Sequence, residues 1–236
     1  MSTDPAEGLR LSKRVAALAG CSRREAELLI ENGAVRVDGE PALLPQTRVQ
    51  PHQHVEIEAG AHPEPVVPVT LLLHKPAGTP IDNAHRLLVP ANHQDPERAG
   101  LRFLARHVAA QRCMTPLETA AGGLVVFTQE WRIERRLHED AAVLEHEVMV
   151  DVSGPVGPET LACFHNTPAR VSMSQQAEGH TTLRFALKGP QPGQIAHLCD
   201  SAGLHILSMK RIRIGRIPLA GLLPGQWRYL LPHERF

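Results

Sequence analysis

The chain has 236 residues, and 25 Lys and Arg balance 25 Asp and Glu, so the formal net charge is zero with histidine neutral. That length allows one large domain or two unequal ones, and the balance excludes a uniformly basic nucleic-acid coat, so any anion-binding surface must come from local clustering. At 42% hydrophobic and 21% charged the chain is globular, while 3% aromatic content excludes the broad base-stacking platform of single-strand binders.

The opening stretch MSTDPAEGLRLSKR has no apolar signal core. LRLSKRVAALA at 9–19 predicts a helix, with Leu11, Val15 and Leu18 on one stripe and Arg10, Lys13 and Arg14 off it. Ser22 opens a second helix, RREAELLIEN, with Glu25 three residues on as a capping box and Gly33 as its stop. AVRVDGEPALL alternates like a strand, and Asp38-Gly39 interrupts it as a hairpin turn. VEIEA is another short strand. Residues 61–68, in the Pro-rich stretch GAHPEPVVP, predict a linker.

The second region begins with the buried-looking strand VTLLLHKPAG. Residues 79–112 are poorly patterned and end in a predicted helix, RFLARHVAAQR. GGLVVFT predicts a strand, WRIERRLHED a helix and EHEVMVDV a strand. PETLACFHN starts a helix, TTLRFALKG is a strand, and PGQIAHLCDSAG is a helix stopped by Gly203. HILSMKRIRIGRIPL predicts one or two strands before the closing GQWRYLL. Helices and strands mix without strict alternation, which predicts an α+β fold with largely antiparallel pairing.

No stretch approaches eighteen continuous apolar residues, so no membrane span is expected. Cys21, Cys113, Cys163 and Cys199 are far apart and signal neither a zinc ribbon nor a redox pair. The fourteen histidines are scattered, and the His52/His54 pair has no cysteine or carboxylate partner at ligand spacing, so no metal is expected. The default is a reducing, cytoplasmic setting.

Positive charge is concentrated in two places. Arg10, Lys13, Arg14, Arg23 and Arg24 form a run with no acid between them, although the first 60 residues hold seven basic side chains against nine acids. Five cations on two adjacent helices match a phosphate-contact footprint; the alternative is a solvated helix face. The second cluster spans 184–216, where only Asp200 opposes the basic residues. Strand alternation puts Lys210, Ile212 and Ile214 on one face and Arg211 and Arg213 on the other. An arginine-lined face could track a nucleic-acid backbone, or be an exposed edge kept soluble by charge.

These residues carry a resemblance. RLSKRVAALAGCSRREAELLIENGAVRVDGE resembles the alpha-L RNA-binding domain, with Arg23-Arg24 opening its second helix. LLLHKPAG, GGLVVFTQE and MKRIRIGRIPLAGLLPGQWRYL resemble, in order, the K-P-x-G strand, the G-L-L-L-L-T-N-D strand and the C-terminal strand of RNA pseudouridine synthases that carry this domain. The resemblance implies an alpha-L RNA-binding domain at 8–60, a linker at 61–68 and a pseudouridine-synthase-like domain at 69–236, with a central mixed, mainly antiparallel sheet. It implies structured RNA as the partner, ribosomal RNA above all, with no cofactor, no membrane and a monomeric chain.

The family's nucleophile motif is G-R-L-D-x-x-T-x-G-L-L. Here the run is Thr115-Pro116-Leu117-Glu118-Thr119-Ala120-Ala121-Gly122-Gly123-Leu124. Glu118 stands at the place of the aspartate, Pro116 at the arginine and Ala121 at the threonine. Val148 takes the place of the tyrosine in the family's K-x-Y-L-V strand. The segment Gly189-Pro190-Gln191-Pro192-Gly193-Gln194 departs from G-x-N-R-Q-V-R-R-M and has lost its arginines. In the family the aspartate attacks a flipped-out uridine, whose base is detached, turned and rejoined through C5. That step needs an ionised carboxylate at near-attack distance. Glutamate moves the carboxylate by about 1 Å, a shift that can cost about a hundredfold in rate. The resemblance therefore implies weak or lost catalysis, or else catalysis with Glu118 as nucleophile. The remaining reading of Glu118 is a plain loop carboxylate. Lys75 reads as structural or as a phosphate contact.

Overall fold

A computed structural model describes residues 8–94, 100–219 and 221–236. The sequence reading of the first residues as lacking an apolar leader falls largely on 1–7, outside the described residues. The chain forms two compact units, one of residues up to 68 with 102–110, the other of 69–101 with 111–236.

The first unit starts with β1 (Leu9–Arg10), α1 (Leu11–Ala19) and α2 (Arg23–Glu31). Ser22 accepts from the Glu25 N–H at 3.2 Å while the Glu25 carboxylate accepts from the Ser22 N–H at 2.8 Å, which completes the predicted capping box. The predicted hairpin is β2 (Val35–Val37) and β3 (Glu40–Pro41). Its turn residues Asp38 and Gly39 both have positive φ, the backbone that a two-residue hairpin of this hand requires. β4 (Arg48–Val49) pairs with β1, and β5 (Val55–Ile57) with β2. The core is Leu11, Val15, Ala26, Leu29, Ile30, Val35 and Val49. Residues 61–68 form neither helix nor strand.

The second unit opens with β6 (Thr70–Lys75), buried throughout, and the single turn α3 (Ile81–Ala84). The segment 102–110 belongs to the first unit, although the sequence assigns it to the second. Its helix α4 is one turn, Ala105–Val108, where the pattern predicted eleven residues. Arg102 and Arg106 reach Glu58 and Glu31 at 3.6 and 3.9 Å, carboxylates far upstream that local patterning cannot reveal.

The rest of the second unit is β7 (Arg112–Cys113), β8 (Gly122–Thr128), α5 (Trp131–Glu139), β9 (Glu145–Ser153), α6 (Pro158–Ala162), β10 (Arg170–Ala177), β11 (His180–Lys188), α7 (Gln194–Ser201), β12 (Ile206–Ile214), β13 (Ile217–Pro218) and β14 (Trp227–Tyr229). β10 escaped the sequence reading because its polar run RVSMSQQA has no apolar face to announce it. The strands form one sheet in the order β10-β11-β9-β12-β8-β6-β14, with β7 on β8 and β13 on β12. Its ladders are antiparallel except β12 with β8. The fold is α+β with a mixed, mainly antiparallel sheet. One core joins Val148, Val150 and Val152 to Leu183, Phe185, Ile195 and Cys199; another joins Leu72, Leu124 and Val126 to Leu137 and Ile214. Among the described residues no helix is long and apolar enough to cross a membrane.

Candidate functional site

Glu118 lies in the loop between β7 and β8, and two buried cations hold that loop. Lys75, at the end of β6, donates through Nζ to the carbonyls of Pro76 (3.1 Å), Thr79 (2.7 Å) and Thr119 (3.3 Å). An ammonium has three protons, so all are spent on backbone. Arg211 of β12 donates through Nε to Leu124 O at 2.7 Å, through Nη1 to Pro116 O at 3.4 Å, and through Nη2 to Thr115 O. Burial pushes the Arg211 pKa down to about 10 and lowers that of Lys75. The two cations therefore anchor the loop from either side. Lys75 spends its donors on the loop backbone, as the structural of its two readings expects.

Gly123 lets β12 come this close. Its φ is +113°, and a Cβ there would collide with the Arg211 backbone. The parallel pairing of Arg211 with Gly123 depends on the missing side chain.

The sheet and α7 bring the three motif segments together. Pro116, Glu118, Ala121, Val148, Pro190 and Pro192 line one cavity, with Arg211 and Met209. Its volume is about 30 Å³. That is a narrow cleft. The Glu118 carboxylate accepts the N–H of Gly193, the residue that caps α7, so the third motif segment closes over it. The sequence carried a trace of this contact, since Pro192-Gly193 sits where a helix begins, but nothing aimed it at a residue 75 positions away.

The predicted basic strand is corrected. A register shift between Arg211 and Arg213 breaks the alternation: Arg211 stands opposite Val148 and Arg213 opposite Glu147, so the arginines do not share a face. Arg211 is buried. Arg213 donates to Glu145 and Glu147, both at 2.7 Å. Arg184 also binds Glu147, and Arg170 binds Glu145. This network holds Glu147 at a pKa of about 2, chiefly through Arg213. The acids lie on β9, distant in sequence, so Arg184 and Arg213 of the cluster are paired with carboxylates that the local sequence does not show. Lys210 is exposed and unpaired among the described residues. It lies on the sheet face opposite Val148, beside an open, largely apolar groove of about 840 Å³ lined by Met149, Asp151 and Ile212.

In the first unit Arg10, Lys13, Arg14, Arg23 and Arg24 are all exposed. Arg23 and Arg24 share Glu27 at 3.2 and 3.6 Å, while Arg10, Lys13 and Arg14 have no carboxylate partner among the described residues.

Residues 9–55 match the S4 domain family. An uncharacterized RNA pseudouridine synthase of Aquifex aeolicus is 25% identical over 96% of this chain and 94% of its own. The dual-specificity RNA pseudouridine synthase RluF of Escherichia coli K12 is 24% identical over 98% of this chain and 78% of its own. The chain carries an N-terminal S4 domain and is similar over nearly its whole length to RNA pseudouridine synthases. A solved pseudouridylate synthase structure shares the fold, with a TM-score of 0.54 at 18% identity over 94% of this chain and 96% of that one.

Proposed function

We propose that the protein binds structured RNA, ribosomal RNA first of all, and has weak or no uridine isomerase activity. The observation that carries this reading is the narrow cavity, about 30 Å³, at the family's motif positions. A flipped base needs a pocket and a wall to stack on, and Val148 supplies neither ring nor room. The Glu118 carboxylate is already bonded to Gly193, and the charge beside it, Arg211, spends its donors on backbone carbonyls. Opening the site requires moving the Pro190–Gly193 segment away from the sheet.

A second reading is an active isomerase with Glu118 as nucleophile. One observation favours it: Arg211 lines the same cavity as Glu118 and supplies a positive charge that Pro116 cannot. A tritium-release assay on unmodified ribosomal RNA separates the two. The expected result is negligible release by the natural protein and no change in Glu118→Gln. Glu118→Asp alone is expected to restore little, because nucleophile, orienting charge and base wall act as one unit. Robust release that Glu118→Gln abolishes establishes the second reading instead.

A further inference from the structure

The chain has two tryptophans, and the fold treats them oppositely. Trp227 is fully buried, stacks on His93 at 4.1 Å and donates to Val89 O at 2.8 Å. Trp131, the first residue of α5, is 64% exposed. A large indole in water has no use inside the fold and marks a contact surface.

Its surroundings say what kind of contact. The Arg132 guanidinium carbon lies 5.5 Å from the Trp131 ring centroid, within cation–π range. Arg135 and Arg136 follow one turn on, so Trp131, Arg132, Arg135 and Arg136 line a shallow groove of about 340 Å³ along the helix. Arg132 has no carboxylate partner among the described residues. Arg135 and Arg136 pair with Glu139 and Asp140 four residues on, in exposed pairs that hold weakly and yield to a better anion. Arg132 stands in the first turn of α5 and Arg136 in the last, and Glu139 and Asp140 line the far end of the same groove.

We propose that this face of α5 is an RNA contact separate from the S4 domain and from the Glu118 cavity: one unpaired base stacks on Trp131 while Arg132, Arg135 and Arg136 hold the flanking phosphates. The proposal rests on the RNA-binding reading above. A single ring flanked by guanidinium groups suits an unpaired nucleotide, since every base has a stackable face and every linkage carries an anion. Aromatic and arginine side chains also anchor protein partners, but three arginines beside one exposed ring, one of them with no carboxylate partner among the described residues, favour a polyanion.

The test uses the full chain and a stem-loop RNA with a single-stranded tail, followed by filter retention and by tryptophan emission. Emission is expected to fall as RNA binds, and Trp131→Phe is expected to abolish that change, because buried Trp227 does not report. Trp131→Ala is expected to weaken retention about tenfold, and Trp131→Phe far less, because phenylalanine still stacks. A stem-loop without the tail is expected to bind the natural protein and Trp131→Ala alike. Retention with unchanged emission and a Trp131→Ala affinity equal to the natural protein's overturns the platform and leaves the patch to a protein partner. No retention at all overturns the RNA reading itself, and the platform with it.

Discussion

Arg211 is a charge buried to 3% exposure with no carboxylate bonded to it among the described residues, and three carbonyls take its protons instead. Arg211→Met leaves those carbonyls unpaired in the interior and is expected to cost about 3 kcal/mol, read by urea unfolding. Rescue to natural stability would mean the carbonyls find water. His146, its neighbour across the ladder at Ile214, makes a pH prediction. Burial first, then Arg211 and Arg213, hold its pKa near 3 against an ordinary 6.5. The folded state therefore refuses a proton that the unfolded chain accepts below pH 6.5. Stability is complete above that pH and falls as pH drops from 6.5 toward 3. The loss approaches about 1.4 kcal/mol per pH unit. His146→Leu is expected to remove this slope, so the stability difference between the two proteins should change between pH 6.5 and 5. A constant difference would mean that His146 is not buried neutral.

Elements carry the site through their pairings. β8 and β12 run parallel with their backbones in contact at Gly123, and β12 shifts register just beyond it. Gly123→Ala adds a Cβ where neither the φ nor the space allows one. It is expected to destabilise the second unit by more than about 2 kcal/mol, with loss of the thermal unfolding midpoint as the measure. The same strand shows why alternation misled: a bulge re-aims every later side chain by one face, so Arg211 went inward to the loop and Arg213 to the acids of β9.

At the scale of the whole molecule the charge balance near zero hides an uneven distribution. Arg170, Arg184 and Arg213 of the sheet are matched by Glu145 and Glu147, whereas Arg10, Lys13 and Arg14 face solvent unpaired among the described residues. RNA affinity is therefore expected to fall steeply with salt, by about 0.7–0.9 in log K per log unit of salt for each phosphate contact. Arg23→Ala with Arg24→Ala is expected to weaken binding and flatten that slope by about 1.5, measured by filter retention across a salt series. A slope unchanged by the double variant would remove those two residues from the contact.

The sequence alone determined what is local. The Ser22–Glu25 cap, the Asp38-Gly39 turn and the apolar strand GGLVVFT are decided by residues within reach of one another along the chain, and all three formed as expected. The order of motifs likewise identified the family and the positions to inspect. Tertiary structure alone decided what those positions touch. Whether a cation is free depends on carboxylates brought from another strand, and whether a pocket exists depends on how closely three distant segments pack. Arg211 and Arg213 read as surface charges because their partners lie beyond any local window; those partners made them scaffold. The same packing narrowed the space around Glu118 to a small cleft, a result of volume and distance that residue identity cannot express.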